Sequence, residues 1–186
     1  MKSRIEKTEL DGVWVIETDF PRDERGFFIE SYHADRFREL GITLDFVQDN
    51  HSRSRRGVLR GLHYQNLTAP QAKLVRCTRG VVYDVVVDLR IGSPTFGRWV
   101  GVELSDENMR QILVPVGFAH GFAVISDVAD LQYKCSSYYT PLAEGSVAWD
   151  DRDIGVRWPI ETPILSPRDR AAQSLRAYAA QPAFHI

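Results

Sequence analysis

Cysteine is scarce in this chain of 186 residues: only Cys77 and Cys135 occur, far apart and without metal-type spacing. A disulfide scaffold and a thiolate metal site are therefore excluded. Both cysteines lie in apolar, strand-like runs and read as reduced core thiols of a cytoplasmic protein. Long apolar runs are also missing. No segment approaches the ~20 residues of a membrane span, and the basic start MKSRIEKTEL is not followed by an apolar stretch. The expectation is a soluble, unexported protein that does not engage a membrane. Nor is there an excess of one charge, since 23 Lys and Arg face 25 Asp and Glu. With no global field to attract nucleic acid, any anion must be held locally. Repeats, low-complexity tracts and linkers are absent, and a chain that is 44% hydrophobic at this length fits one domain over residues 1–186.

What is present is a series of short β-rich runs punctuated by Gly, Pro, Asp and Asn. They fall at 12–17, 26–32, 44–51, 58–65, 73–78, 81–89, 97–104, 111–114, 120–126 and 131–136. Many closely spaced strands with little helix predict a mainly β fold, a jelly-roll barrel with a few short peripheral helices. In KLVRCTRGVVYDVVVDL, Arg79 and Gly80 separate two β-branched runs in the manner of a hairpin. One helix is expected over Ala34–Leu40, stopped by Gly41, and a second from near Asp169 through AAQSLRAYAA.

The two-residue period of a strand predicts which side chains share a face. Gln48 and Asn50 point together, opposite Val47, Asp49 and His51. Lys73 aligns with Val75 and Cys77, an odd neighbourhood for a solvated amine. His120 aligns with Phe118, Phe122 and Val124, and Tyr133 with Leu131 and Cys135. Four strands thus each send a polar group onto a face that otherwise reads as interior, as a barrel with a polar-lined mouth would.

In VLRGLHYQ, His63 admits three readings: metal ligand, catalytic base, or packed core residue with both nitrogens satisfied. Metal-binding jelly rolls use two histidines two positions apart on one strand, but the residue two after His63 is Gln65. His33, His51, His120 and His185 supply no close pair either. No metal is expected. The core and base readings stay open on these residues alone. Tyr133 is equally readable as an ordinary buried tyrosine, Asp169 as a helix cap, and the basic run HSRSRRGVLR as a solvated loop.

Taken together, the segments DERGFFIESY, FVQDNHSRSRRGVLRGLHYQ, QAKLVRCTRGVVYDVVVDLR, SPTFGRWVGVELS, PVGFAHGF, YKCSSYYTP, EGSVAWDD, IGVRWP and LSPRD closely resemble the dTDP-4-dehydrorhamnose 3,5-epimerase family, metal-free cupins. The resemblance runs in order from about Trp14 to Asp169. It implies a cofactor-independent isomerase acting on a dTDP-4-keto-6-deoxyhexose, with His63 as general base, Asp169 as its carboxylate partner, Tyr133 as proton donor from the other face of the sugar, and Lys73 beside the developing oxyanion. It further implies that Arg60, His120, Gln48, Asp49, Asn50 and Glu144 bind substrate and that Tyr139 stacks on the nucleotide base. Arg25 and Glu30 would come from a neighbouring subunit of a homodimer. The family usually has lysine where this chain has Arg168, so a pointlike amine becomes a fork. A relative acting at C3 or C5 only, and a non-catalytic nucleotide-sugar-binding jelly roll, are the alternatives. Strict alternation would put Arg60 and His63 on opposite faces, so Gly61 is predicted to sit in a bulge that turns both toward the cavity.

Overall fold

The computed structural model describes residues 1–186. Two antiparallel sheets carry the chain. The six-stranded sheet runs β1 (Ser3–Lys7), β2 (Trp14–Thr18), β10 (Gln111–Val114), β7 (Lys73–Arg79), β12 (Val128–Cys135), β5 (Gln48–Arg55); the five-stranded sheet runs β13 (Glu144–Ser146), β6 (Leu59–Gln65), β11 (Phe118–Val124), β8 (Val81–Asp88), β9 (Trp99–Ser105). A ribbon of β3 (Arg22–Asp23) and β4 (Gly26–Phe27) stands apart. From β5 to β12 successive strands alternate between the sheets, except at β8–β9, which pair as neighbours. Apolar side chains from both inner faces meet in one cluster, Val75, Cys77, Ile112 and Leu131 against Val82, Val86, Phe118 and Phe122. That packing is the hydrophobic reason for the two-layer arrangement.

Several of the expected elements differ, among them the run expected at 26–32, which is strand only at Gly26–Phe27. The runs flanking Gly80 are not a hairpin: β7 pairs with β10 and β12, whereas β8 pairs with β11 and β9 in the other sheet. Gly80 has φ +75°, and a Cβ there would lie 2.2 Å from the Val128 carbonyl oxygen. It serves as a tight corner between layers, where only glycine fits. The C-terminal helix is also broken in two, α2 (Pro167–Arg170) and α3 (Leu175–Ala180). Between them the Gln173 carbonyl accepts from Ala148 N–H at 2.8 Å, and Ser174 caps the new start. The β-bridge takes Gln173 out of helical geometry. Helix α1 (Ala34–Glu39) matches expectation and packs Phe37 with Ile42 over Ile16, Leu74 and Leu113 on the outer face of the six-stranded sheet. Leu44 and Phe46 join that packing as coil, so β5 starts later than expected and runs on through Arg55. The first half of the basic run, His51–Arg55, is consequently edge strand, with Arg53 held bidentately by Asp130 at 2.7 Å.

Candidate active site

The predicted bulge is present in β6. His120 of β11 faces His63 and Phe122 faces Arg60, so two residues of β6, Gly61 and Leu62, oppose Gly121 alone. Gly61 has φ +140°, and a Cβ on it would lie 2.5 Å from Gly121 Cα. Only glycine allows that approach. The extra residue re-aims the strand: Leu62 and Tyr64 bury themselves behind the sheet, while Arg60 and His63 line one cleft with Ser166, Arg168 and Asp169.

On this wall the histidine is closely held. His63 Nε2 lies 2.5 Å from Asp169 Oδ1, and Asp169 is 3% exposed. Helix α2 positions it, with Ser166 as N-cap and Pro167 at the first turn. Burial pushes the His63 ring below its ordinary pKa, Asp169 pulls it partly back, and the charges of Arg168 and Lys73 push it down again. The net result is a neutral imidazole poised to accept a proton. Burial alone would raise Asp169, but hydrogen bonds from His63 and Ser166 outweigh it, and the carboxyl lies below the usual range. Arg168 forks between two partners. One nitrogen pairs with Glu144 and the other lies 3.0 Å from His63 Nε2 and 3.2 Å from Nδ1. Glu144 also accepts from the Tyr139 hydroxyl at 2.9 Å, and Tyr139 N–H donates to Gln48 Oε1 at 3.0 Å. An aromatic ring at the mouth is thereby tied through Glu144 and Arg168 to the histidine.

The facing wall belongs to the six-stranded sheet. Lys73, Tyr133, Gln48 and Asn50 all point inward as the alternation predicts, with Tyr133 opposite Asn50 and Val75 and with Lys73 opposite Cys135. Burial lowers the Lys73 amine, countered by Cys135, Glu144 and Asp84 acting at a distance, and its Nζ stands 5.9 Å from the Tyr133 ring centre. Burial raises the Tyr133 phenol, which stays protonated. Arg60 is exposed and its Nε donates to Ser54 Oγ at 3.1 Å, leaving the rest of the guanidinium free for an anion.

Not every predicted residue joins this group. Asp49 turns to the outer face, where Lys134 donates to it at 2.9 and 3.1 Å. Arg25 and Glu30 pair with Asp23 and Arg36 respectively and do not line the cleft that holds His63. Sequence reasoning missed Asp84, a fully buried carboxylate 2.9 Å from His120 Nε2. Burial lifts its pKa and the His120 ring counteracts this. A lone acid inside VVYDVVVD was the available signal. No cluster of three or more His, Cys, Asp or Glu donors converges as a metal site would need.

A carboxylate-held imidazole with a phenol and an amine on the opposing sheet suits proton transfer on a carbon acid. The model of the family described as dTDP-4-dehydrorhamnose 3,5-epimerase matches residues 7–177. The chain belongs to that family. It is 53% identical over 171 residues to the dTDP-4-dehydrorhamnose 3,5-epimerase of Salmonella typhimurium, covering 91% of this chain and 93% of that protein. The family fold is shared with a dTDP-6-deoxy-D-glucose-3,5-epimerase from Legionella pneumophila solved with dTDP-4-keto-L-rhamnose, at 51% identity and a TM-score of 0.95, covering 100% and 99% of the two chains. A dTDP-4-dehydrorhamnose 3-epimerase from Streptomyces niveus is 46% identical over 170 residues, covering 91% and 82%. The family therefore includes one-carbon as well as two-carbon epimerases.

Proposed function

We propose that His63, Asp169, Tyr133 and Lys73 carry out the family's reaction in this chain, the conversion of dTDP-4-dehydro-6-deoxy-D-glucose to dTDP-4-dehydro-L-rhamnose by inversion at C3 and C5. A ketone at C4 acidifies the hydrogens on both neighbouring carbons. His63 removes a proton, the electron pair moves onto the C4 oxygen as an enolate, and Tyr133 returns a proton to the opposite face of the carbon. The imidazolium then loses its proton to solvent and the phenolate regains one from it before the second carbon is inverted. The observation that carries this reading is the imidazole held at 2.5 Å by a buried carboxylate on one wall, with an inward phenol on the other. Asp169 fixes the tautomer and steadies the imidazolium. A weak carbon acid also needs its oxyanion held, and one preorganised donor is worth about 2.7–4 kcal/mol, which Lys73 supplies. Arg60, His120, Gln48, Asn50, Glu144 and Arg168 bind the substrate's diphosphate and sugar, and Tyr139 stacks on the base.

The alternating strand order supports a jelly-roll scaffold. Two buried free thiols fit a reducing, cytoplasmic setting. Arg25 and Glu30 act in a partner's site across a homodimer, a reading supported by the segment between them, on which Phe27 and Phe28 are 49% and 70% exposed. Proton NMR of the keto sugar incubated in D₂O tests the function: deuterium enters at both C3 and C5 with wild type and at neither with His63→Ala. Labelling at C3 only would assign the chain to the 3-epimerase type instead, and labelling at C5 only to a C5 epimerase.

A further inference from the structure

We infer that Ser166 is a positioning residue for the general base, orienting Asp169 so that one carboxylate oxygen is committed to His63. The inference rests on His63 being that base. Asp169 presents its two oxygens to two different groups: Oδ1 lies 2.5 Å from His63 Nε2, and Oδ2 accepts the Ser166 hydroxyl at 2.7 Å. The same Ser166 oxygen accepts the Asp169 backbone N–H at 3.1 Å. The hydroxyl therefore grips both ends of one residue, fixing where its backbone enters α2 and how its carboxylate is turned. With Asp169 3% exposed, water is a poor substitute for the lost donor. A freed Oδ2 would compete for the imidazole, and a carboxylate rotating between two partners no longer specifies the tautomer.

The chain contains its own control. Ser174 caps α3 in the same way, its oxygen accepting Ala177 N–H at 3.1 Å, but it holds no carboxylate. Capping alone costs both alanine variants the same kind of thermal stability. Wild type, Ser166→Ala, Ser166→Thr, Ser174→Ala and His63→Ala are compared by C5–H exchange in D₂O, by the pH profile of kcat/KM, and by the low-field NMR signal of the proton shared by His63 and Asp169. Ser166→Ala is expected to lower kcat about tenfold with KM within twofold, to move the acidic limb to lower pH as His63 loses part of its carboxylate support, and to lose the low-field signal. Ser166→Thr restores all three, and Ser174→Ala changes only the melting temperature. Should Ser166→Ala match Ser174→Ala in profile and spectrum while His63→Ala is inactive, the Ser166 role is overturned and the base stands. Activity retained by His63→Ala overturns the base itself.

Discussion

The two walls of the cleft are built on opposite plans. On the five-stranded side His63 is enclosed by Asp169 and Arg168, which are themselves held by Ser166 and Glu144. On the six-stranded side Lys73 and Tyr133 stand on an apolar face, and the charges that influence the amine act at a distance. The difference follows from what each group must do. An imidazole has two nitrogens and works only if the right one is free before substrate arrives, so its geometry must be fixed in advance. A protonated phenol and an ammonium present donors in any tautomer and can take their hydrogen bonds from the substrate itself.

The most direct way to break this contrast is to remove one support from each wall. Asp169→Asn keeps the shape but reverses the hydrogen-bond sense at His63, and turnover is expected to fall about 10³- to 10⁴-fold. Lys73→Met removes a single oxyanion donor and is expected to cost about 10²–10³ in kcat. Steady-state assays of both variants check the ranking. Equal losses would mean that the amine does more than hold an oxyanion.

The contrast can be sharpened by pH. His63 lies below the ordinary imidazole value, so its neutral, active form persists to lower pH. The acidic limb of kcat/KM is then expected below about 6.5. At the other end Lys73 is lowered and Tyr133 raised by burial. Burial thus favours loss of the ammonium proton and opposes ionisation of the phenol, so the basic limb is expected to report Lys73, below the ordinary lysine value of about 10.4. Lys73→Arg should push that limb up. If the limb instead stays where it was, Tyr133 sets it.

Much of this site was legible in the chain. Alternation correctly turned Gln48, Asn50, Lys73 and Tyr133 inward, because a strand's side chains must alternate whatever the strand pairs with. The conflict between Arg60 and His63 on that rule located the bulge at Gly61. Alternation does not say which sheet a strand joins, so the corner at Gly80 read as a hairpin. Partners that meet only through the fold were invisible: Asp84 under His120 lies 36 residues away in sequence. Helical periodicity carried on through Gln173 because the bridge that interrupts it comes from Val147. The family resemblance named Asp169 but had no access to what holds it.

The smallest expected effect concerns Arg168, where the chain departs from the usual lysine. Its fork reaches Glu144 with one nitrogen and the His63 ring with the other, and its charge depresses the base. Arg168→Gln removes that charge, so the acidic limb should rise, by a fraction of a unit because the group is half exposed and solvent screens it. Arg168→Lys keeps the charge but a point amine cannot span both partners. Its limb should stay near wild type while KM rises a few-fold, since Glu144 loses the partner that holds it toward Tyr139. If both variants instead shift the limb equally, it is the fork rather than the charge that governs the histidine.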